Sequence, residues 1–186
     1  MNTKEIECRF LEINKATLIK KLKKLGAKDK GERMLEETII YDREFKWRDK
    51  EHKHVRIRKD GKKVMLALKQ FLSHTIDGTY ELEFEIKDYE KAEVFFEKIG
   101  LVPFRHHQKK RHTFTFKGVI FDIDTWPKIP TYVELEGKSE KALRDAAKAV
   151  GLDWNKAEFH HPRWVIENIY KIPISKLRWF TFDRYE

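Results

Sequence analysis

The sequence predicts an α+β fold in which eight β-strands close into a barrel with helices packed outside. Three observations carry this. Six segments alternate charged with apolar residues, the order of strands and helices repeats in the two halves of the chain, and eight strands suffice to enclose a usable interior. The first strand, Glu5-Ile6-Glu7-Cys8-Arg9-Phe10, turns Glu5, Glu7 and Arg9 to one side and Ile6, Cys8 and Phe10 to the other, because strand side chains alternate with period two. Val55-Arg56-Ile57-Arg58, Glu81-Leu82-Glu83-Phe84-Glu85-Ile86, Lys109 with Arg111, Asp122-Ile123-Asp124 and Glu134-Leu135-Glu136 read the same way. Plain solvent exposure would mix Thr, Ser and Gln into the polar positions. Here acids and bases are sorted by strand.

After the first strand, Asn14 precedes a run with Leu18, Leu22 and Leu25 at helical spacing. Lys20, Lys21, Lys23 and Lys24 lie between them, and Gly26 stands as the stop. Strands follow near residues 32–45, 52–59, 62–70 and 79–87, with Asp60-Gly61 marking a hairpin. A second helix begins after Asp88, an N-cap residue, sets Ala92, Phe95, Phe96 and Ile99 on one side, and ends at Gly100. Strands near 103–117, 118–125 and 130–137 come next, then a third helix from Ser139 through Leu143, Ala146, Ala147 and Val150 to Gly151. A strand–helix–three-strand unit used twice gives the eight strands, and closure removes exposed edges.

Beyond Gly151, Trp154, Phe159, Trp164, Ile166, Ile169 and Tyr170 suggest a helical segment packed across the barrel. Trp179, Phe180 and Phe182 fit a strand, a lid or a partner contact. Residues 1–172 are read as one domain and 173–186 as a tail without an assigned role.

At 186 residues the chain suits a single domain, and 40 Lys+Arg against 31 Asp+Glu, a net charge of +9, favours polyanions without choosing among them. The single cysteine, Cys8, falls on an apolar strand face, so a buried inert thiol in a reducing compartment is expected. No apolar run approaches the ~18 residues that span a bilayer, and the opening residues lack a signal-peptide core, so a soluble cytoplasmic protein with no membrane partner is expected.

With the apolar strand faces against the helices, the charged faces line the lumen. Burying charge costs several kcal/mol per group unless it is paired or meets a ligand. Arg56, Arg58, Lys69, Lys109 and Arg111 form a basic set suited to phosphate oxygens. Glu5, Glu7, Glu81, Glu83, Asp124, Glu134 and Glu136 form an acidic set that repels phosphate. A divalent cation, Mg²⁺ or Mn²⁺, reconciles them by taking carboxylate oxygens on one side and phosphate oxygens on the other. Any one Glu-x-Glu or Arg-x-Arg is commonly a solvated strand face; six on one chain are harder to dismiss. His106 and His107 point to opposite strand faces, so with His112 they do not read as a metal cluster, and neither do His160 and His161. No glycine-rich phosphate loop, dinucleotide fingerprint, Cys-x-x-Cys pair or Ser/His/Asp motif is present.

Taken in order, Glu5-Ile6-Glu7-Cys8-Arg9, Ile40-Tyr41-Asp42, Val55-Arg56-Ile57-Arg58, Leu68-Lys69-Gln70, Tyr80-Glu81-Leu82-Glu83, Lys109-Lys110-Arg111, Ile123-Asp124 and Val133-Glu134-Leu135-Glu136 resemble the CYTH superfamily. These triphosphate tunnel enzymes include class IV adenylate cyclases and thiamine triphosphatases. The resemblance covers Glu5 to about Tyr170 and implies an eight-stranded antiparallel tunnel. Basic residues would bind the triphosphate and acidic ones would hold one or two metal ions. Carried onto this chain, it implies Glu5, Glu7, Asp124, Glu134 and Glu136 as metal ligands, with Glu81 and Glu83 assisting catalysis. Arg9, Arg56, Arg58, Lys69, Lys109 and Arg111 would contact substrate, and Tyr41 would pair with Lys69 to position or activate a nucleophile. Arg9 replaces the family's usual lysine; it keeps the charge but has a forked head.

The helix between the first two strands and the stretch of residues 124–130 resemble the class IV cyclase branch, which implies conversion of ATP to cyclic AMP and pyrophosphate. Hydrolysis of tripolyphosphate, thiamine triphosphate or a nucleoside triphosphate fits the same site. A non-catalytic binder of polyanions or RNA 5′-triphosphate ends is the reading from a different class, and apart from such an end no nucleic-acid partner is expected. A homodimer stands as the default for a small enzyme.

Overall fold

The computed structural model describes residues 3–186, with side chains from residue 6 onward. It is a mixed α+β structure built on one curled sheet. The strands are β1 (Thr3–Glu5), β2 (Glu7–Phe10), β3 (Lys28–Asp42), β4 (Lys53–Asp60), β5 (Lys63–Phe71), β6 (Thr79–Ile86), β7 (Leu101–Phe116), β8 (Val119–Thr125), β9 (Tyr132–Glu136) and β10 (Trp179–Phe180). The helices are α1 (Lys15–Lys24), a single turn α2 (Lys46–Asp49), α3 (Tyr89–Lys98), α4 (Glu140–Ala149) and α5 (Pro162–Asn168). A strand, a helix and three further strands occur twice, as β2-α1-β3-β4-β5 and β6-α3-β7-β8-β9.

The sheet order is β1-β6-β5-β4-β3-β7-β8-β9-β2, with every neighbour antiparallel. Its two end strands are consecutive in sequence, with Ile6 alone between them. The first strand is therefore split where a continuous one was expected: β1 pairs with β6 and β2 with β9. At the break, Gly137 N donates to Ile6 O at 3.1 Å and Glu7 N donates to Ile76 O at 3.0 Å, so backbone groups at the interruption find partners.

Helix starts follow the sequence. Asn14, Asp88 and Ser139 accept hydrogen bonds from Thr17 N, Lys91 N and Ala142 N. α1 stops where Gly26 takes φ +74°, and Ala27 N bonds back to Leu22 O. α1 and α4 cover the outer face of β2, β8 and β9. Leu18, Leu22, Leu143, Ala146 and Ala147 pack there with Cys8, Phe10, Phe121, Ile123, Val133 and Leu135. Cys8 is fully buried, and burial pushes its thiol up to about 12, against a partial lowering by Arg9. On the other half, Ile40, Val55 and Ile57 pack against Ala92 and Phe96 of α3.

Two packing expectations are corrected. Phe95 and Ile99 are 58% and 57% exposed, because α3 buries only the narrow stripe carrying Ala92 and Phe96. Leu25 caps α1 and is also exposed.

The tail is packed. Ile174, Leu177 and Phe180 join Trp126, Ile129, Tyr132 and Ile166 in a third cluster. β10 runs parallel to β7 at His106 and His107, on an edge that β8, whose pairing starts at Lys110, leaves open. Among the described residues no helix is long and apolar enough to cross a membrane.

Candidate functional site

The concave side of the sheet encloses a cavity of about 390 Å³. Period-two alternation fills it with charge: Arg56 and Arg58 point in while Val55 and Ile57 pack outside, and Glu134 and Glu136 point in while Val133 and Leu135 pack outside. Of the residues singled out from the sequence, Glu7, Arg9, Tyr41, Arg56, Arg58, Lys69, Glu81, Glu83, Lys109, Arg111, Glu134 and Glu136 line it. The Glu5 side chain lies outside the described residues. Asp124 does not line the cavity; it is fully buried behind it.

Sheet order sorts the charges into two arcs. Lys69 on β5, Arg56 and Arg58 on β4, and Arg105, Lys109 and Arg111 on β7 make a basic arc. Asp122 on β8, Glu134 and Glu136 on β9, Glu7 on β2, and Glu81 and Glu83 on β6 make an acidic one. The two sets meet at the seams, where neighbouring strands bring opposite charges within contact. Arg56 Nη2 lies 2.7 Å from both Glu81 Oε1 and Glu83 Oε2, and Lys69 Nζ 2.9 Å from Glu81 Oε2. At the other seam Arg111 meets Asp122 and Asp124 at 2.6 Å, and Lys109 meets Asp124 at 3.0 Å.

Each arc also holds the opposite sign, with Asp60 on β4 among the bases and paired to Arg33. Arg9 sits among the acids, 2.8 Å from Glu7 and 2.7 Å from Glu134. Glu37 sits among the bases, hydrogen-bonded to His107 and 4.0 Å from both Arg56 and Arg58. Burial would raise the Glu37 carboxyl, but Lys109, His107 and Arg56 together hold it well below the usual range.

Two groups are disfavoured as charges, in opposite senses, although Arg58 contacts Glu83 at 2.8 Å. Burial and then neighbouring Arg56 push the Arg58 guanidinium down from its ordinary value, against Glu37 and Glu83. Burial, then Glu134, Glu7 and Asp122, push Glu136 up to about 7, and it makes no ion pair among the described residues. The basic arc calls for an anion and the acidic arc for a cation. Consistent with the first, the Nε atoms of Arg56, Arg58 and Arg105 are buried without a hydrogen-bond partner.

The acidic arc fits a hard divalent cation: its donors are carboxylate oxygens, and Glu136 is destabilised by like charges that such an ion would neutralise. Among the described residues no three His, Cys, Asp or Glu side chains already converge on one point, since Glu7 and Glu134 each spend an oxygen on Arg9.

Tyr41 packs its ring near Phe45, His54 and Phe104, while Lys69 pairs with Glu81. His106 and His107 do diverge, one stacking on Trp179 outside the sheet and the other facing the cavity. Sequence reasoning missed Arg33, Glu37, Arg105 and His107 as lining residues, and left Asp122 out of the acidic set although it placed it on the charged face. For three of these the signal was present: Arg105 and His107 continue the alternation of Lys109 and Arg111, and Asp122 precedes Asp124 by one strand repeat.

The CYTH domain family matches residues 3–158, and the chain belongs to it. Among solved structures, the PH1012 protein from Pyrococcus horikoshii OT3 is 25% identical, with a TM-score of 0.71 over 84% of this chain and 96% of that one. A candidate adenylate cyclase from Vibrio parahaemolyticus is 13% identical, with a TM-score of 0.75 over 90% and 99%. A candidate adenylyl cyclase from Hippeastrum with a dominant triphosphatase activity is 16% identical, with a TM-score of 0.60 over 87% and 94%. At these identities the last two show the shared fold alone. No curated protein matches the chain.

Proposed function

We propose that this chain is a divalent-metal-dependent enzyme that cleaves a triphosphate inside the curled sheet, with water as the nucleophile. The observation that carries the reading is the juxtaposition in one cavity of buried arginine Nε atoms without a hydrogen-bond partner on the basic arc and, on the acidic arc, Glu136 without a counter-ion. A metal–triphosphate complex satisfies both.

In this reading Arg56, Arg58, Lys69, Lys109 and Arg111 hold the phosphate oxygens and stabilise charge on the leaving group. Glu7, Glu134 and Glu136 hold the cation, joined by Glu5 through its place in Glu5-x-Glu7. Mg²⁺ or Mn²⁺ supplies Lewis-acid neutralisation of the phosphate charge. Asp124 acts from behind, fixing Lys109 and Arg111 through its two carboxylate oxygens. Water attacks the terminal phosphorus as the P–O bond to the diphosphate breaks; the diphosphate leaves, and the water's proton goes to the product phosphate oxygens. Glu81 and Glu83 keep Arg56, Arg58 and Lys69 in place.

The second reading is cyclisation, in which the ribose 3′-hydroxyl of ATP attacks the α-phosphorus and pyrophosphate leaves. It is favoured by α1 between β2 and β3 and by the residue 124–130 connection, the layout that resembles the cyclase branch. Incubation with ATP, tripolyphosphate and thiamine triphosphate, each with Mg²⁺ or Mn²⁺, separates the two. Orthophosphate without cyclic nucleotide supports hydrolysis, cyclic AMP with pyrophosphate supports the cyclase, and no turnover of any of the three rejects both.

A further inference from the structure

A second cavity of about 320 Å³ lies between the residue 72–78 loop, which joins β5 to β6, and α5. His52, Phe71, His161 and Arg163 line both this annex and the charged cavity, so the two spaces meet at those residues. The chemistry changes across the junction. The main cavity is ionic; the annex is walled by rings. Phe71 lies 5.0 Å from His74 and 4.6 Å from His161 between ring centroids, and Trp164 lies 6.4 Å from His74. Leu72 at the lip is 58% exposed. Burial, then Arg163 and Arg9, push His161 down to about 2, so it presents a neutral ring.

Polar groups stand at the rim of these rings. Arg163 donates no hydrogen bond among the described residues, and Glu167 commits only Oε1, which accepts from Ser175 N at 2.8 Å. His52 holds φ +49°, a left-handed conformation unusual for a residue with a Cβ, and its carbonyl accepts from Phe71 N at 2.9 Å, which ties the two rings to the junction. Lys69 and Phe71 are two residues apart on one face of β5, a step of about 7 Å. A phosphate held by Lys69 is thus one sugar-sized linker away from the first ring. α5, which supplies Arg163, Trp164 and Glu167, lies beyond the residues matched by the family.

We propose that the annex binds the flat heteroaromatic ring of an organic triphosphate whose phosphate chain occupies the main cavity. This rests on the triphosphate reading above and narrows it to a ring-bearing substrate rather than inorganic tripolyphosphate. Stacking between rings supplies affinity, and Arg163 and Glu167 read the polar edge of the bound ring.

The test is equilibrium binding by calorimetry of adenosine 5′-(β,γ-methylene)triphosphate and of tripolyphosphate, without divalent cation so that nothing is cleaved. The proteins are the wild type, His74→Ala, Arg163→Ala and Trp164→Ala. The nucleotide analogue is expected to bind about tenfold more weakly to His74→Ala and Trp164→Ala, with tripolyphosphate unchanged. Trp164 also stacks on His160 at 3.6 Å, so its loss risks unsettling α5; His74, on an exposed loop, carries the comparison independently. Equal losses for both ligands, or none for either, overturn the annex and leave the main cavity's reading standing. A wild-type protein that neither binds nor cleaves either ligand once Mg²⁺ is added rejects that reading instead.

Discussion

Glu7 on β2 and Glu136 on β9 are direct cross-strand partners, both turned into the cavity. Like charges placed opposite each other on adjacent strands repel. Arg9 relieves this on one side only: its guanidinium bridges Glu7 and Glu134 and leaves Glu136 without a counter-ion. Burial first, then Glu134, Glu7 and Asp122, push the Glu136 carboxyl up from 4.5 to about 7.

The pH dependence has a defined sign. Between about pH 4.5 and 7 the folded chain keeps a proton on Glu136 that the unfolded chain has lost. That contribution to stability is full at the acidic end and disappears as pH rises through about 7. Urea unfolding across this window should show wild type losing stability relative to Glu136→Gln as pH increases. Mg²⁺ should flatten the difference by stabilising the carboxylate. A stability difference independent of pH would remove Glu136 from this role.

Neighbouring arginines on β4 should behave differently. Arg56 contacts Glu81 and Glu83 at 2.7 Å and lies near Glu37, so Arg56→Ala takes one of two counter-charges from the buried Glu81 and Glu37 and should cost ~2–3 kcal/mol of stability. Arg58 shares Glu83 with Arg56 and is itself disfavoured by burial and by Arg56. Arg58→Ala should therefore cost about 1 kcal/mol. Both variants should weaken tripolyphosphate binding by about tenfold or more, the loss of a charge-assisted phosphate contact. Denaturation midpoints and calorimetry check the two halves separately.

Much of this cavity was legible because strand periodicity is rigid: once Arg56 faces inward, Arg58 must too, and the same holds for Glu134 with Glu136. Register and depth were not legible. Asp122 and Asp124 share a face, but only pairing with β7 decides that Asp124 lies beneath Lys109 and Arg111 while Asp122 reaches the cavity. Glu37 was hidden by Glu36 beside it and by the register shift between Ile39 and Ile40, which blurs the alternation along β3. The tail was unreadable for another reason. Its burial against Trp126 and Tyr132 is a long-range contact that leaves no local periodicity in residues 173–186.

Asp124 gives the third prediction. Its oxygens take Lys109 Nζ at 3.0 Å, Arg111 Nε at 2.7 Å and Arg111 Nη2 at 2.6 Å, with no solvent exposure. Asp124→Asn keeps the shape but leaves two buried cations short of a counter-charge, at ~3–5 kcal/mol. Turnover should fall with it, since Lys109 and Arg111 would lose the anchor that aims them. Thermal melts and steady-state rates measured at a temperature where the variant is folded separate the two effects.

Glu134 distinguishes an enzyme from a polyanion binder. Burial would raise its carboxyl, but Arg9, then Arg111 and Lys109, hold it below the usual carboxylate range, so it is ionised throughout the working pH range. Glu134→Gln removes one negative charge from the acidic arc while keeping the side chain's length and one of its oxygens. A binder that merely holds a polyanion should then bind tripolyphosphate more tightly, with no turnover to lose. An enzyme that needs a cation on this arc should lose turnover by about a hundredfold or more, as expected when one electrostatic element of a transition-state site is removed, and still bind its ligand. Excess Mn²⁺ should recover part of the rate if Glu134 acts through the cation. Chelation of divalent ions should reduce wild type to the level of the variant, and turnover that survives chelation would sink the metal-dependent reading.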